Sequence, residues 1–266
     1  MKEEVLLEVK DLTVSIGKRH VINDVSFSLR KGRILSLVGE SGSGKTLTSL
    51  AVLDLLPETA VRQGGEVLYR GSDIYRMQKE KVRQLRGNDI AMVFQEPFTA
   101  LNPVLTVGDQ IRETILAHRK RPKAGGNVLV KELMEMVRLS PEVETHYPHE
   151  LSGGMRQRIV LAMALSCDPD VLMLDEPTTA LDVSVQKEIL DLVRDIQKKR
   201  DLAILFITHD FSIVNTISDE VCVMKQGEIV ERGPKENILG DAQHPYTKKL
   251  IECIPRLGDK RSRLPV

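Results

Sequence analysis

Alternating apolar and polar positions near the N-terminus predict strands that bury one face. In VSFSL the residues Val25, Phe27 and Leu29 fall on the same side of a strand. LLEVKDLTVSI alternates less regularly, and GEVLYRGSDI has the pattern of a strand at a sheet edge. Because antiparallel sheets commonly bury one face only, these segments predict an attached N-terminal antiparallel β-sheet.

Four further runs are apolar almost without interruption: ILSLV, IAMVF, VLMLD and AILFI. Strands that are buried on both faces have this composition, and a parallel sheet covered by helices buries both faces. Helical stretches such as SVQKEILDLVRDIQKKR lie between the runs. The alternation of strand and helix predicts an α/β fold whose core is built on a parallel sheet.

The middle of the chain has a different pattern, without buried strands. VGDQIRETILAHRK and GNVLVKELMEMVRL have helical spacing. We therefore expect a helical subdomain at residues 95–158, inserted between the two core segments 1–94 and 159–235. Two short helices, in PKENILG and HPYTKKLIECIP, predict a C-terminal tail at residues 236–266.

Composition narrows the possible functions. The 266 residues carry no formal net charge and only 3% aromatic residues, with no tryptophan. This argues against nucleic-acid binding, which uses basic surfaces and stacking aromatics. No apolar run approaches the roughly 18 residues of a membrane-spanning helix. Cys167, Cys222 and Cys253 lie far apart, which predicts reduced thiols in a cytoplasmic protein.

The segment GESGSGKT matches the pattern G-x-x-x-x-G-K-[ST] between a predicted strand and a predicted helix. Glycines let backbone N–H groups approach phosphate oxygens, and the helix start adds the positive end of its dipole. Lys45 supplies a positive charge to the β- and γ-phosphates, and the Thr46 hydroxyl is a ligand for Mg²⁺. The residues predicted to bind nucleotide here are Gly39, Glu40, Ser41, Gly42, Ser43, Gly44, Lys45 and Thr46.

Two other segments complete the predicted site. VLMLDE places Asp175 and Glu176 at the end of a strand, where Asp175 would bind Mg²⁺ through water and Glu176 would polarise the attacking water. LSGGM, at residues 151–155, is a glycine turn leading into a helix that Ser152 can cap. Because one phosphate chain needs only one such loop, we expect LSGGM to receive the γ-phosphate of a nucleotide held by another subunit.

With these motifs, the sequence from about Leu6 to Arg263 resembles the ATP-binding subunits of ABC transporters. The resemblance rests on GESGSGKT, Gln95 after IAMVF, LSGGM, VLMLDE, ALD and the histidine of ITHD. FQEPFTALNPVLTVGDQI, LSGGMRQR, DEPTTALDVSVQ and HPYTKKLIECIP further resemble the D-type subunits of importers for dipeptides, oligopeptides and nickel. The chain stops at RLPV, without the cysteine-rich tail of some longer relatives, which implies either a short member or a shortened chain.

The resemblance implies a P-loop NTPase fold, ATP hydrolysis with Mg²⁺, and a role for each matching residue. Catalysis would fall to Glu176, as general base, with His209 and Gln95. Thr46, Gln95 and Asp175 would hold the metal. The residues facing a partner's nucleotide would be Ser152, Gly153, Gly154 and Asp182. Ile16 occupies the position where the family often has an aromatic residue against adenine, which implies that base recognition is weak or uses apolar contact alone and leaves the selectivity for ATP over GTP open.

The resemblance also implies partners. These are a second ATP-binding subunit, of the related F type, two transmembrane permease subunits and, indirectly, an extracytoplasmic solute-binding protein. The chain would lie peripherally on the cytoplasmic face of the membrane and would transmit motion to the permeases near Gln95 and Phe98. The expected function is ATP-driven import of peptides or nickel.

An alternative is an ABC-type ATPase that acts on nucleic acid or ribosomes. Against it stand the neutral charge, the presence of one cassette, and the about one hundred residues without sustained heptads between the phosphate loop and LSGGM. A small-molecule kinase would explain GESGSGKT but would leave LSGGM without a role. ATPase activity raised by DNA or ribosomes would favour the first alternative.

Overall fold

The computed structural model describes residues 4–95, 100–118, 126–179 and 181–253, which form two sheets. The first sheet has the strand order β2-β1-β4-β5 and is antiparallel. Its strands are β1 (Val5–Ile16), β2 (Arg19–Arg30), β4 (Ala60–Tyr69) and β5 (Ser72–Asp73). The predicted N-terminal antiparallel sheet is therefore confirmed.

The second sheet has six strands in the order β10-β9-β3-β8-β7-β6. These are β3 (Ile34–Val38), β6 (Ile90–Val93), β7 (Val171–Asp175), β8 (Ala203–Thr208), β9 (Glu220–Lys225) and β10 (Glu228–Pro234). Five of them pair in parallel, and β10 pairs antiparallel with β9 at the edge. All four uninterrupted apolar runs contribute a parallel strand to this sheet, as expected for strands covered on both faces.

The helices follow the predicted pattern. They are α1 (Lys45–Val52), α2 (Lys79–Leu85), α3 (Val107–His118), α4 (Gly126–Met136), α5 (Gly153–Leu165), α6 (Val183–Arg200), α7 (Val214–Ile217), α8 (Lys235–Gly240) and α9 (Pro245–Glu252). Within the described stretches, only helices and turns connect β6 to β7. Across the described part of the chain, none of these helices combines the length and the apolar character needed to cross a bilayer.

Each face of the six-stranded sheet has its own core. Along β7 and β8, alternate residues such as Leu172 and Phe206 pack with apolar residues of α3 to α6. The intervening residues, such as Met173 and Leu205, pack with the antiparallel sheet, α1 and α2. Phe27, from the alternating segment VSFSL, is buried in this second core, as predicted. The parallel sheet is thus the middle layer, and its carboxyl edge carries the loops that follow β3, β7 and β8.

One predicted element has different limits. GEVLYRGSDI was expected to form one edge strand, but its residues belong to the end of β4 and to the two-residue β5. The chain turns between them at Arg70, whose φ of 48° is incompatible with a continuing strand. In addition, β4 begins at Ala60, because residues 60–64 pair with the end of β1.

Candidate active site

The glycine-rich loop connects β3 to α1 and packs closely against two other strands. A Cβ atom on Gly39 would lie 2.1 Å from the Met224 carbonyl oxygen in β9. Gly44 precedes α1 with a left-handed φ of 108°, and a Cβ there would lie 3.0 Å from the Val21 carbonyl oxygen in β2. Glycine is therefore required at both ends of the loop for steric and conformational reasons.

Lys45 is buried at the first turn of α1. Its Nζ donates hydrogen bonds to the carbonyl oxygens of Gly39, at 2.8 Å, and Glu40, at 2.9 Å. Burial lowers the pKa of this ammonium group, while the charges of Glu176 and Asp175 oppose that effect. A polyphosphate in the loop would supply further negative charge to a cation that the protein has largely removed from water.

Thr46 and Asp175 form a pair at the end of β7. The Thr46 hydroxyl donates to Asp175 Oδ1 at 3.2 Å, and Asp175 is 1% exposed. Burial raises the pKa of Asp175, the neighbouring Glu176 charge adds to the rise, and the Thr46 bond opposes it. Its second oxygen, Oδ2, is buried without a hydrogen-bond partner. A buried carboxylate oxygen of this kind fits a hydrated divalent cation, which would relieve the cost of its desolvation.

Glu176 is held by three side chains. Gln95 Nε2 and Thr179 Oγ1 each donate to Glu176 Oε2 at 3.0 Å. His209 Nδ1 lies 3.1 Å from Glu176 Oε1. The Glu176 backbone has a left-handed φ of 48° and is fixed by a bond of 2.9 Å from its N–H to the Ile207 carbonyl. Strained non-glycine residues of this kind cluster at functional sites.

A pocket is lined by part of these groups, although Asp175, Thr179 and His209 are not among its lining residues. Its lining includes Ser41, Gly42, Gly44, Lys45, Thr46, Gln95 and Glu176 from the predicted site, together with Ile16, Val21, Leu47 and Leu50. The last four residues form an apolar wall on β1, β2 and α1, and the side chain of Ile16 is 41% exposed. Ile16 was predicted to contact the base; Val21, Leu47, Leu50 and Thr179 were missed by the sequence analysis.

The remaining predicted residues lie outside this pocket. Ser152 Oγ accepts a bond of 3.3 Å from the Met155 N–H and caps α5, as predicted. Asp182 caps α6, where its Oδ1 accepts bonds from the Val185 N–H and the Ser184 hydroxyl. The Ser184 bond lowers the pKa of the Asp182 carboxyl. Ser152, Gly153, Gly154 and Asp182 are absent from the pocket lining, but so are Asp175 and His209, and the assignment of the first four to a second chain's nucleotide stays a prediction.

Three predictions fall on residues outside the described part of the chain. Phe98, expected near the membrane partners, belongs to the undescribed segment 96–99. Ala180 of the ALD segment and residues 254–266 of the tail also lie outside it.

The comparisons with known proteins agree with this geometry. The family model described as "ABC transporter" matches residues 22–179, which contain the phosphate loop, the α5 segment and Glu176. The chain belongs to the ABC transporter family. A second family model, described as "Oligopeptide/dipeptide transporter, C-terminal region", matches residues 230–266 of this ABC transporter subunit.

Relatives place the chain among the ATP-binding subunits of that family. It is 45% identical over 96% of its length to the dipeptide transport ATP-binding protein DppD of Bacillus subtilis (strain 168), covering 78% of that protein. It is 46% identical over 95% of its length to the oligopeptide transport ATP-binding protein OppD of the same strain, covering 72%. The predicted membership of the peptide-importer ATPases is thus confirmed.

A solved structure supports the fold. The chain aligns with cbiO1 from Clostridium perfringens, described as part of the ABC transporter complex cbiONQ, with a TM-score of 0.79 and 26% identity. The alignment covers 90% of this chain and 92% of that one. The chain is therefore an ATP-binding cassette that hydrolyses ATP to power solute import, as the sequence predicted.

Proposed function

We propose that this chain powers peptide import by hydrolysing ATP between its own phosphate loop and the α5 segment of a second ATP-binding subunit. The two relatives described above are named for dipeptide and oligopeptide transport, and the C-terminal match points to the same group. The capped glycine turn at Ser152 supports the pairing, because it begins a helix, whose N-terminal N–H groups can bind an anion, and does not line the pocket that holds Lys45 and Glu176.

The observation that carries the proposal is the triple contact on Glu176. Hydrogen bonds from Gln95 and Thr179, and the contact of 3.1 Å with His209 Nδ1, fix the direction of the carboxylate. Glu176 also lines the pocket that contains Lys45 and Thr46. A carboxylate held in one direction beside the phosphate chain is suited to accept a proton from an attacking water molecule.

The other residues bind and orient the nucleotide. Backbone N–H groups of residues 41–46 and the Lys45 ammonium would hold the β- and γ-phosphates. Thr46, Asp175 and Gln95 would hold Mg²⁺, which when bound neutralises phosphate charge. The apolar wall at Ile16 would contact the base, and His209 would touch the γ-phosphate while it orients Glu176.

Transport would follow from closure of the two subunits. ATP bridges both walls of the pocket and ADP does not, so ATP shifts the pair toward the closed state. Gln95 would report this change, since it bonds Glu176 and follows β6, directly before the helical segment. The proposed partners are an F-type ATP-binding subunit, two transmembrane permeases and a solute-binding protein, with this chain peripheral on the cytoplasmic face of the membrane.

Uptake by whole cells tests the proposed cargo. Cells whose only copy of this chain carries Glu176→Gln should lose uptake of labelled di- and oligopeptides, whereas Glu58→Gln, at an exposed loop position, should retain it. Loss of nickel uptake with intact peptide uptake would show that the cargo is the metal. ATPase activity stimulated by DNA or ribosomes would instead support the nucleic-acid alternative.

A further inference from the structure

The C-terminal tail reaches the phosphate loop through one tyrosine. Tyr246, in α9, is 7% exposed and belongs to an apolar cluster that includes Val38, the residue directly before the loop. Other members of this cluster are Phe211, Val214, Val221, Val223 and Ile238. The Lys225 ammonium lies 4.9 Å from the centre of the tyrosine ring. The ring therefore packs with the apolar cluster and also lies close to a cation.

The Tyr246 hydroxyl fixes the second residue of the loop. The Glu40 N–H donates to Tyr246 Oη at 3.1 Å. The Glu40 carbonyl accepts from Lys45 Nζ at 2.9 Å and from the Ser43 N–H at 3.2 Å. The residue is thus held by the tail on its N–H side and by the loop on its carbonyl side. The Glu40 N–H faces the tail, although Glu40 was predicted to bind nucleotide together with its neighbours.

Hydrogen bonds to β10 fix the segment before α9 and thereby place Tyr246 next to Glu40. Glu231, in β10, accepts bonds from the backbone N–H groups of Gln243, at 2.6 Å, and His244, at 3.2 Å. His244 Nδ1 accepts the Tyr246 N–H at 3.1 Å and caps the helix, and Pro245 is its first residue. The triplet His-Pro-Tyr therefore has a separate task for each residue: cap, helix start and contact with the loop.

We propose that Tyr246 is a positioning residue for the phosphate loop, holding the Glu40 peptide in the conformation that receives the phosphate chain. A loop rich in glycine loses much conformational entropy when it orders, and a contact that orders it beforehand reduces this cost at binding. The affinity for phosphates should then depend on the attachment of the tail. This inference rests on nucleotide binding by the loop, and it adds a residue that is 206 positions away from Glu40.

The test compares two tyrosine-to-phenylalanine variants of the full chain. Tyr246→Phe leaves the Glu40 N–H without its partner, which should weaken ATP and ADP binding equally, by about 3- to 10-fold. KM for ATP should rise by the same factor while kcat changes less than about 2-fold. The matched control is Tyr75→Phe, which removes a hydroxyl bonded at 2.7 Å to the Ala51 carbonyl at the far end of α1. The control should bind nucleotide as the wild type does.

Hydrogen exchange gives a second readout that a general loss of stability would not reproduce. Tyr246→Phe should speed exchange in a peptide covering residues 39–46 without changing exchange in residues 151–165. If Tyr246→Phe does not fold, Glu231→Gln loosens the same anchor and should weaken ATP binding about 2-fold. Equal affinities for the wild type and Tyr246→Phe, or equal losses in both phenylalanine variants, would overturn the inference. Failure of the wild type to bind ATP would instead refute the proposed function.

Discussion

His209 Nδ1 lies 3.1 Å from Glu176 Oε1, on the opposite side of the carboxylate from the Gln95 amide, which bonds Oε2 at 3.0 Å. The two contacts come from loops that follow β8 and β6, while Glu176 itself follows β7. Because these strands are neighbours in the sheet, their carboxyl ends bring the three side chains together. The direction of the carboxylate is therefore set by the parallel sheet.

Replacement of Glu176 tests its assignment as general base. Glu176→Gln keeps the shape of the side chain but removes the proton acceptor, so steady-state ATP hydrolysis should fall at least about 100-fold. ATP affinity, measured by calorimetry, should stay within about 3-fold of the wild type, because the phosphate loop is unchanged. Glu58→Gln, the same substitution at an exposed position outside the site, is the control and should hydrolyse ATP at the wild-type rate. Turnover in Glu176→Gln at the wild-type rate would remove Glu176 from this role.

Gln95 and His209 should act through the same carboxylate. Gln95→Ala and His209→Ala should each lower kcat on the order of 10-fold, since each removes one of the three contacts that hold Glu176. The double variant should lose less than the product of the two effects, by a factor of about 3 or more, because both changes release one group. If the loss of kcat in the double variant, measured at saturating ATP, equalled the product of the two single losses, Gln95 and His209 would act independently.

Much of the fold and the chemistry could be predicted because it is encoded locally. The runs ILSLV, VLMLD and AILFI form buried parallel strands, and GESGSGKT joins a strand to a helix as its pattern requires. The same holds for Ser152, whose cap of α5 needs only its neighbours.

Contacts that depend on the exact course of a turn or on packing between distant segments could not be predicted. Thr179 is one of two adjacent threonines after Glu176, and no pattern indicates which hydroxyl turns back to the carboxylate. Tyr246 contacts Glu40 only because α9 packs beside β9 and β3. The limits of β4 likewise depend on pairing with β1, which overrides the local signal at Gly65.

Asp175 should lower the stability of the folded chain, although ATP hydrolysis requires it. Its raised pKa means that the folded chain holds this proton more tightly than the unfolded chain does, so ionisation at neutral pH opposes folding. Asp175→Asn should therefore raise Tm at pH 7 and lower ATP hydrolysis at least about 100-fold. The gain in Tm should shrink as the pH falls, because the raised pKa lets the wild-type carboxyl of the folded chain take up its proton at a higher pH than an unperturbed aspartate does. A lower Tm for Asp175→Asn at pH 7 would contradict this balance of effects.

The apolar wall should discriminate poorly between bases. Ile16, Val21, Leu47 and Leu50 offer no side-chain hydrogen-bonding groups to a base, so kcat/KM for ATP and GTP should agree within about 10-fold. Ile16→Tyr adds a stacking surface and should tighten binding of both nucleotides about 3- to 10-fold. Leu116→Tyr, at an exposed position on α3, is the control. If kcat/KM of the wild type for ATP exceeded that for GTP more than about 100-fold, polar groups would have to form hydrogen bonds with the base.

The central claim is that each nucleotide is enclosed by two chains, and a mixing experiment tests it most directly. Lys45→Ala disables the phosphate loop and Ser152→Arg disables the α5 segment, so neither variant should hydrolyse ATP alone. The experiment uses the isolated chain without the F-type subunit, so that each pair is formed by two copies of this chain. A mixed dimer then regains one intact site, and an equal mixture should recover about a quarter of the rate of the isolated wild type. Full activity of Ser152→Arg alone, or no recovery on mixing while the wild type is active, would contradict the claim.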